Sequence, residues 1–123
     1  MIRDNLYCYR MEVTRVIDGD TIECTIDCGL FTFKKATVRI LGIDAPEMKK
    51  ETRAKGIESR QWLVDLCDLS SFFFIRTYKD LQTDSFGRWL GELETESGDS
   101  VAKMMIAAGH AKPRAVVRKS KPK

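Results

Sequence analysis

Thiolate and imidazole chemistry have little to work with in this chain. Histidine occurs once, as His110, and none of the four cysteines (Cys8, Cys24, Cys28, Cys67) forms a C-x-x-C pair. A zinc site would need such ligand spacing. The thiols are therefore expected to be reduced and structural, as in a reducing compartment. Cys24 and Cys28, alternating with polar residues, are expected to face the core as small apolar groups. His110 follows Gly109, where a C-terminal cap or an exposed side chain is the usual role, and it has no Ser or Cys partner in a catalytic motif. Long apolar runs are also missing. None approaches the roughly 20 residues that cross a bilayer. The opening Met1-Ile2-Arg3-Asp4-Asn5-Leu6 puts polar groups where a secretory signal has an apolar block. A cytoplasmic protein with no membrane partner is the expectation. No internal repeat is visible.

What is present is the composition of one soluble globular domain: 123 residues, 43% hydrophobic and 32% charged. The net charge of +3 is unevenly placed. Lys112, Arg114, Arg118, Lys119, Lys121 and Lys123 crowd the end from Ala111 onward, which has no acid, so the rest of the chain is net acidic. Such a tail suits a polyanion, whose counterions are released as its phosphates are neutralised, or serves as a solvated end that aids solubility. The division expected is a domain over residues 1–112 and a basic tail over residues 113–123.

Strand-like alternation runs through Tyr7, Tyr9, Met11 and Val13, and again through Ile22, Cys24, Ile26 and Cys28, with the turn residues Asp18-Gly19-Asp20 between them. After Gly29 and a short loop, a third strand is predicted over about Ala36 to Ile43. A helix is predicted from Lys50 to about Leu69, with Ile57, Leu63, Val64, Cys67 and also Arg60 on one face. The segment Ser70 to Tyr78, which contains Phe72-Phe73-Phe74-Ile75, marks a fourth strand, and Trp89 to Glu94 a fifth. Ser97-Gly98-Asp99-Ser100 offers a turn and a candidate N-cap for a helix bearing Val101, Met104, Met105 and Ala108, which Gly109 ends. Five strands, a helix between the third and fourth, and a C-terminal helix predict an α+β, predominantly β chain with an OB-fold barrel.

Chemistry concentrates in three short stretches: residues 16–21 (Val-Ile-Asp-Gly-Asp-Thr), 38–47 (Val-Arg-Ile-Leu-Gly-Ile-Asp-Ala-Pro-Glu) and 83–88 (Thr-Asp-Ser-Phe-Gly-Arg). Asp20 and Asp44 both fall at strand–turn junctions. A barrel that brought them together would create carboxylate repulsion that a divalent cation relieves, and oxygen donors suit a hard cation such as Ca²⁺ better than Zn²⁺. Glu47, held after Pro46, could accept a proton from water or align it. Arg39 and Arg88 offer planar, permanently charged groups for a phosphate. Arg39 lies five residues before Asp44, opposite in a regular strand, so Gly42 is expected to mark an irregularity that restores a common side. Acids alone would suggest a metal site; acids with arginines suggest a nuclease.

From about Tyr9 to Lys112 these motifs, in this order, resemble the staphylococcal-type (thermonuclease) Ca²⁺-dependent nucleases. The resemblance implies an OB-type barrel that cuts DNA and RNA with modest sequence preference and leaves 3′-phosphate ends. It implies that Asp20, Asp44 and the backbone carbonyl of Ala45 hold Ca²⁺. Glu47 would then be the general base or water-positioning group, and Arg39 and Arg88 would hold the reacting phosphate.

Departures accompany the matches. Ala45 stands where family members often have Thr, which leaves a backbone ligand intact. Ser85 and Phe86 replace a Lys-Tyr pair that grips a flanking phosphate in the best-known members, and the segment Glu47 to Gly56 is short where those have a longer basic loop. Past Lys112 the aromatics expected to pack on a base are absent, as is a final helix. Looser binding and little nucleotide preference are expected, in a monomer. The rival from another class is a non-catalytic OB-fold module that binds nucleic acid or a protein. Retention of the acids and both arginines favours the enzyme.

Overall fold

Alternation of apolar and polar residues drives the architecture of the computed structural model, which describes residues 1–81 and 83–116. Strands β1 (Cys8–Asp18), β2 (Thr21–Asp27) and β3 (Phe33–Ile40) form an antiparallel meander. A two-residue strand β4 (Ile43–Asp44) follows, then helix α1 (Arg53–Leu69), β5 (Phe73–Thr77) and β6 (Trp89–Glu94). Helix α2 (Val101–Ala107) precedes a last short strand, β7 (Lys112–Pro113).

Five strands close into a barrel in the order β1-β2-β3-β6-β5, with β5 antiparallel to β1 and β3 parallel to β6. This is the predicted OB-type architecture, α+β and mostly strand, with α1 between the third and fourth barrel strands. Met11, Ile22, Val38, Ile40, Ile75 and Leu93 face inward and are at most 3% exposed. Full burial of one such side chain contributes about 1.5–3 kcal/mol. Closure leaves the barrel with no open sheet edge.

Helix α1 packs through Gly56, Ser59 and Leu63, its buried residues. Arg60 shares this side, and its Nε donates to the Val16 carbonyl at 3.1 Å. Ile57, expected on the packed face, is 47% exposed. At about 100° per residue, a stripe set by 56, 59 and 63 turns Ile57 outward. In α2, Val101 and Met105 are fully buried, and the Ser100 side chain accepts the Lys103 N–H at 3.2 Å, as a capping residue should. Gly109 ends the helix region at φ +79°.

Further corrections concern strand ends. β1 continues to Asp18, so it delivers the turn directly. β3 starts at Phe33 and stops at Ile40, and Gly42, at φ +88°, turns the chain before β4. Cys24 is buried as expected, but Cys28 is exposed because β2 ends one residue earlier and the alternation ends with it. All four cysteines are unpaired. Burial pushes the Cys24 thiol up to about 12; burial, then the charge of Asp68, pushes Cys67 up to about 11. Both stay protonated and unreactive at neutral pH. No helix among the described residues is long and apolar enough to cross a membrane.

Candidate active site

The turn between β1 and β2 is seated against α1 by the absence of a side chain. A Cβ on Gly19 would lie 2.1 Å from Ser59 Oγ and 2.9 Å from Ala45 Cβ. Ser59 is itself buried and donates to the His110 carbonyl at 2.7 Å, so it has little room to yield. Held in this way, Asp20 is only 9% exposed. Its Oδ2 accepts the Ala45 N–H at 3.1 Å and its Oδ1 accepts the Thr21 hydroxyl at 3.0 Å.

Arg39 leaves β3 on the same side. It too is buried, and Nη2 lies 3.5 Å from Asp20 Oδ2 and 3.2 Å from Asp44 Oδ1. The same guanidinium donates to the carbonyls of Ile40 (3.4 Å) and Ile43 (3.2 Å), the residues either side of the Gly42 turn. The expected irregularity at Gly42 is therefore real, and its form is a turn at positive φ with β4 beyond it. Glycine meets no steric cost there. One buried cation between two carboxylates keeps those carboxylates compatible with each other.

Arg88 enters from the start of the strand region after the 84–87 turn. Its Nε donates to Asp84 Oδ2 at 2.7 Å and its Nη1 to Thr21 Oγ1 at 3.2 Å. Thr21 thus links Arg88 to Asp20. Burial raises the Asp84 carboxyl, but the backbone N–H groups of Arg88 and Phe86 and the Arg88 guanidinium outweigh it. The net result is a value below the ordinary carboxylate range. Asp18, in the first turn, moves the other way: burial raises it, the charge of Asp20 adds to this, and Arg88 and Arg60 oppose.

Asp18, Asp20, Arg39, Asp44, Glu47 and Arg88 line one open cleft of about 840 Å³. Glu47 is exposed and pairs with Lys49 at 2.9 Å; the hydrogen bond to Glu47, and then its charge, raise the Lys49 amine. Ala45 is buried and meets the site through its N–H. All five charged residues singled out from sequence thus reach the same cleft. Among the described residues, no three His, Cys, Asp or Glu side chains gather as a ready-made metal cluster. The donors present, Asp20 and Asp44, are hard oxygen ligands. They fit a hard cation that draws its remaining ligands from backbone, water and phosphate oxygens.

Sequence reasoning passed over several contributors. Thr21, adjacent to Asp20, and Asp84, four residues before Arg88, both carried a local signal as short polar side chains beside a chosen residue. Ser59 carried none, and Arg114 stood out only as one of the basic residues of the tail. Arg114 reaches the site because β7 pairs with β4, and its Nη1 lies 3.8 Å from Asp44 Oδ1. Of the basic tail, Arg118, Lys119, Lys121 and Lys123 lie outside the described residues.

A closed five-stranded barrel carrying this acid–arginine cleft defines the class, and residues 37–123 match the family described as staphylococcal nuclease homologue. The chain belongs to that family. The match runs past Lys112, where the resemblance in the sequence was expected to fade. It begins after Asp20, which the fold, not the match, ties to the rest. Among curated proteins, an "Uncharacterized endonuclease" of Escherichia coli O157:H7 and another of Escherichia coli are each 32% identical over 99 residues, 80% of this chain. The chain spans 57% of the length of these relatives.

Proposed function

We propose that this chain is a calcium-dependent phosphodiesterase that hydrolyses DNA and RNA with little sequence preference and leaves 3′-phosphate ends. The observation that carries the reading is the arrival of Arg39, Arg88, Asp20, Asp44 and Glu47 at one cleft from three separate parts of the chain. Family membership and the printed name of the relatives support the same chemistry. Residues 1–112 form the catalytic domain of a cytoplasmic monomer, and the basic tail adds electrostatic attraction for the polyanion.

Asp20, Asp44 and the Ala45 carbonyl would hold the cation, which when bound supplies Lewis-acid polarisation of the phosphate and offsets its charge. The chain's own residues do the rest. Arg88, aimed by Asp84 and Thr21, and Arg39, aimed by two carboxylates and two carbonyls, donate N–H groups to the phosphate oxygens as negative charge builds. Because both guanidinium groups are pre-oriented, little is spent on ordering them at the moment of reaction. Glu47 takes a proton from the attacking water. Its pairing with Lys49 is exposed on both sides, so it is screened by solvent and yields readily.

The test is cleavage of end-labelled single-stranded DNA with Ca²⁺, with Mg²⁺ and with chelator. Cleavage in Ca²⁺ should vanish in chelator, and phosphatase treatment should shift the products as 3′-phosphates. Glu47→Ala should lower kcat by about 10²–10⁴-fold, the range of a lost general base, without unfolding the protein. DNA left intact under all three conditions, with binding still measurable, would replace the enzyme with a non-catalytic binding module.

A further inference from the structure

The cations along the cleft differ in how firmly they are engaged. Among the described residues lining it, they are Arg39, Lys49, Arg88 and Arg114. Arg39 is buried between two carboxylates and two carbonyls. Arg88 is locked on Asp84 at 2.7 Å and Thr21 at 3.2 Å. Lys49 is hydrogen-bonded to Glu47 at 2.9 Å. Arg114 differs in its contact: it meets Asp44 only at 3.8 Å, beyond hydrogen-bond range, with its side chain 57% exposed, whereas Lys49, though 70% exposed, is within hydrogen-bond range of its partner. An exposed pair of that kind holds a side chain only weakly, so the guanidinium can turn to a better partner.

Its backbone, by contrast, is fixed. β7 pairs with β4 with Lys112 opposite Asp44, and the Arg114 N–H continues the ladder to the Gly42 carbonyl at 2.9 Å. An exposed, loosely engaged cationic head on an anchored stem is what a phosphate-binding arm requires. Position adds direction. Contacts run without a break from Arg88 through Thr21, Asp20, Arg39 and Asp44 to Arg114. Arg88 and Arg114 are the two ends of that run of contacts, with Arg39 between them, and all three line the same cleft.

We propose that Arg114 is a substrate-binding residue that takes a phosphodiester flanking the one held by Arg39 and Arg88. The inference rests on the reading of the cleft as a nucleic-acid site. It gives the 112–116 segment a role in grip that is separate from chemistry at the reacting phosphate.

The experiment is equilibrium binding of a fluorescein-labelled oligothymidylate by anisotropy, in EDTA to suppress cleavage, over a range of salt concentrations. The proteins are wild type, Arg114→Ala and Arg114→Lys. The alanine variant should bind about 3–10-fold more weakly at low salt. Its plot of log affinity against log salt should be shallower by about 0.7, the contribution of one single-strand phosphate contact. Lysine, which keeps the charge, should restore most of the slope, and the melting temperatures should agree. In parallel cleavage assays the alanine variant should raise KM more than it lowers kcat. An unchanged affinity and slope for Arg114→Ala, or no binding by wild type at low salt, overturns the proposal. A reduced slope in a wild-type background that never cleaves DNA with any metal leaves the phosphate contact standing and removes the nuclease reading instead.

Discussion

The β1–β2–β3 meander reverses twice, each time with an Asp and a Gly close together, and the two turns are held in different ways. Asp18-Gly19-Asp20 is pressed against α1, its acid is 9% exposed, and it hydrogen-bonds residues in other elements. The turn at the other end, Gly29 to Thr32, closes on itself. Gly29 N–H donates to Asp27 Oδ1 at 2.9 Å, and Cys28 and Thr32 complete the hairpin with backbone bonds. Leu30 and Phe31 are 98% exposed at φ +55° and +56°, a left-handed backbone that bulky residues tolerate poorly. Turn chemistry reverses a chain in both places. Only where a second element packs on the turn does a carboxylate become an oriented group.

The largest expected effect breaks this contrast at Gly19. Gly19→Ala forces a methyl into Ser59 and Ala45 and should cost about 1–3 kcal/mol in urea unfolding. By displacing Asp20 it should also cut cleavage by about a hundredfold, as small misplacements in a site do. Gly29→Ala meets nothing within 4 Å, so its penalty is the αL backbone alone, about 1–2 kcal/mol, with kcat/KM unchanged. Equal activity losses in the two variants would mean that the far turn is coupled to the site after all.

A third turn sharpens the comparison because it shares features of both. Asp84 Oδ1 accepts the N–H groups of Phe86 and Arg88, much as Asp27 accepts that of Gly29, yet Asp84 Oδ2 also aims Arg88 at Thr21. The Asp84 carboxyl is held low in the folded protein, so its ionised form stabilises the fold. That contribution is fully present above the ordinary value of 3.8 and is lost as pH falls through the depressed native value. Thermal melts from pH 7 to pH 2 should therefore show a shallower acid limb for Asp84→Asn than for wild type. Identical acid limbs would show that Asp84 gains nothing from its partners.

The smallest effect is expected at the exposed tip. Leu30→Asn combined with Phe31→Asn removes no buried area and places residues that accept the left-handed backbone. Stability should stay level or rise by about 1 kcal/mol at most, and DNA cleavage should not change. A melting temperature several degrees lower would mean that the two apolar side chains support the fold.

Much of the molecule was legible in the residues themselves. The β6 boundaries, a helix cap within residues 97–100, the Gly109 stop and the order of five strands around a helix all follow from alternation, turn residues and capping, which act within a few positions of the chain. The charged residues of the cleft could be chosen for the same reason, since acids and arginines next to turn signals stand out locally. Errors arose where a local pattern met an outside constraint. Cys28 continued a correct alternation one residue past the end of its strand, and Ile57 fell off a helical stripe set by contact with the barrel.

Long-range geometry settled the rest. Parallel pairing of β3 with β6 joins Arg39 to Leu90 across the barrel wall and so brings Arg88 beside Thr21. Antiparallel pairing of β4 with β7 returns Arg114 to Asp44. Backbone hydrogen bonds carry no residue label, so neither pairing leaves a mark in the chain near the residues it unites. The amino-acid order specified which groups were available and which local shapes they would take. Barrel closure, a cooperative result of burying one face of every strand, specified which of those groups would meet.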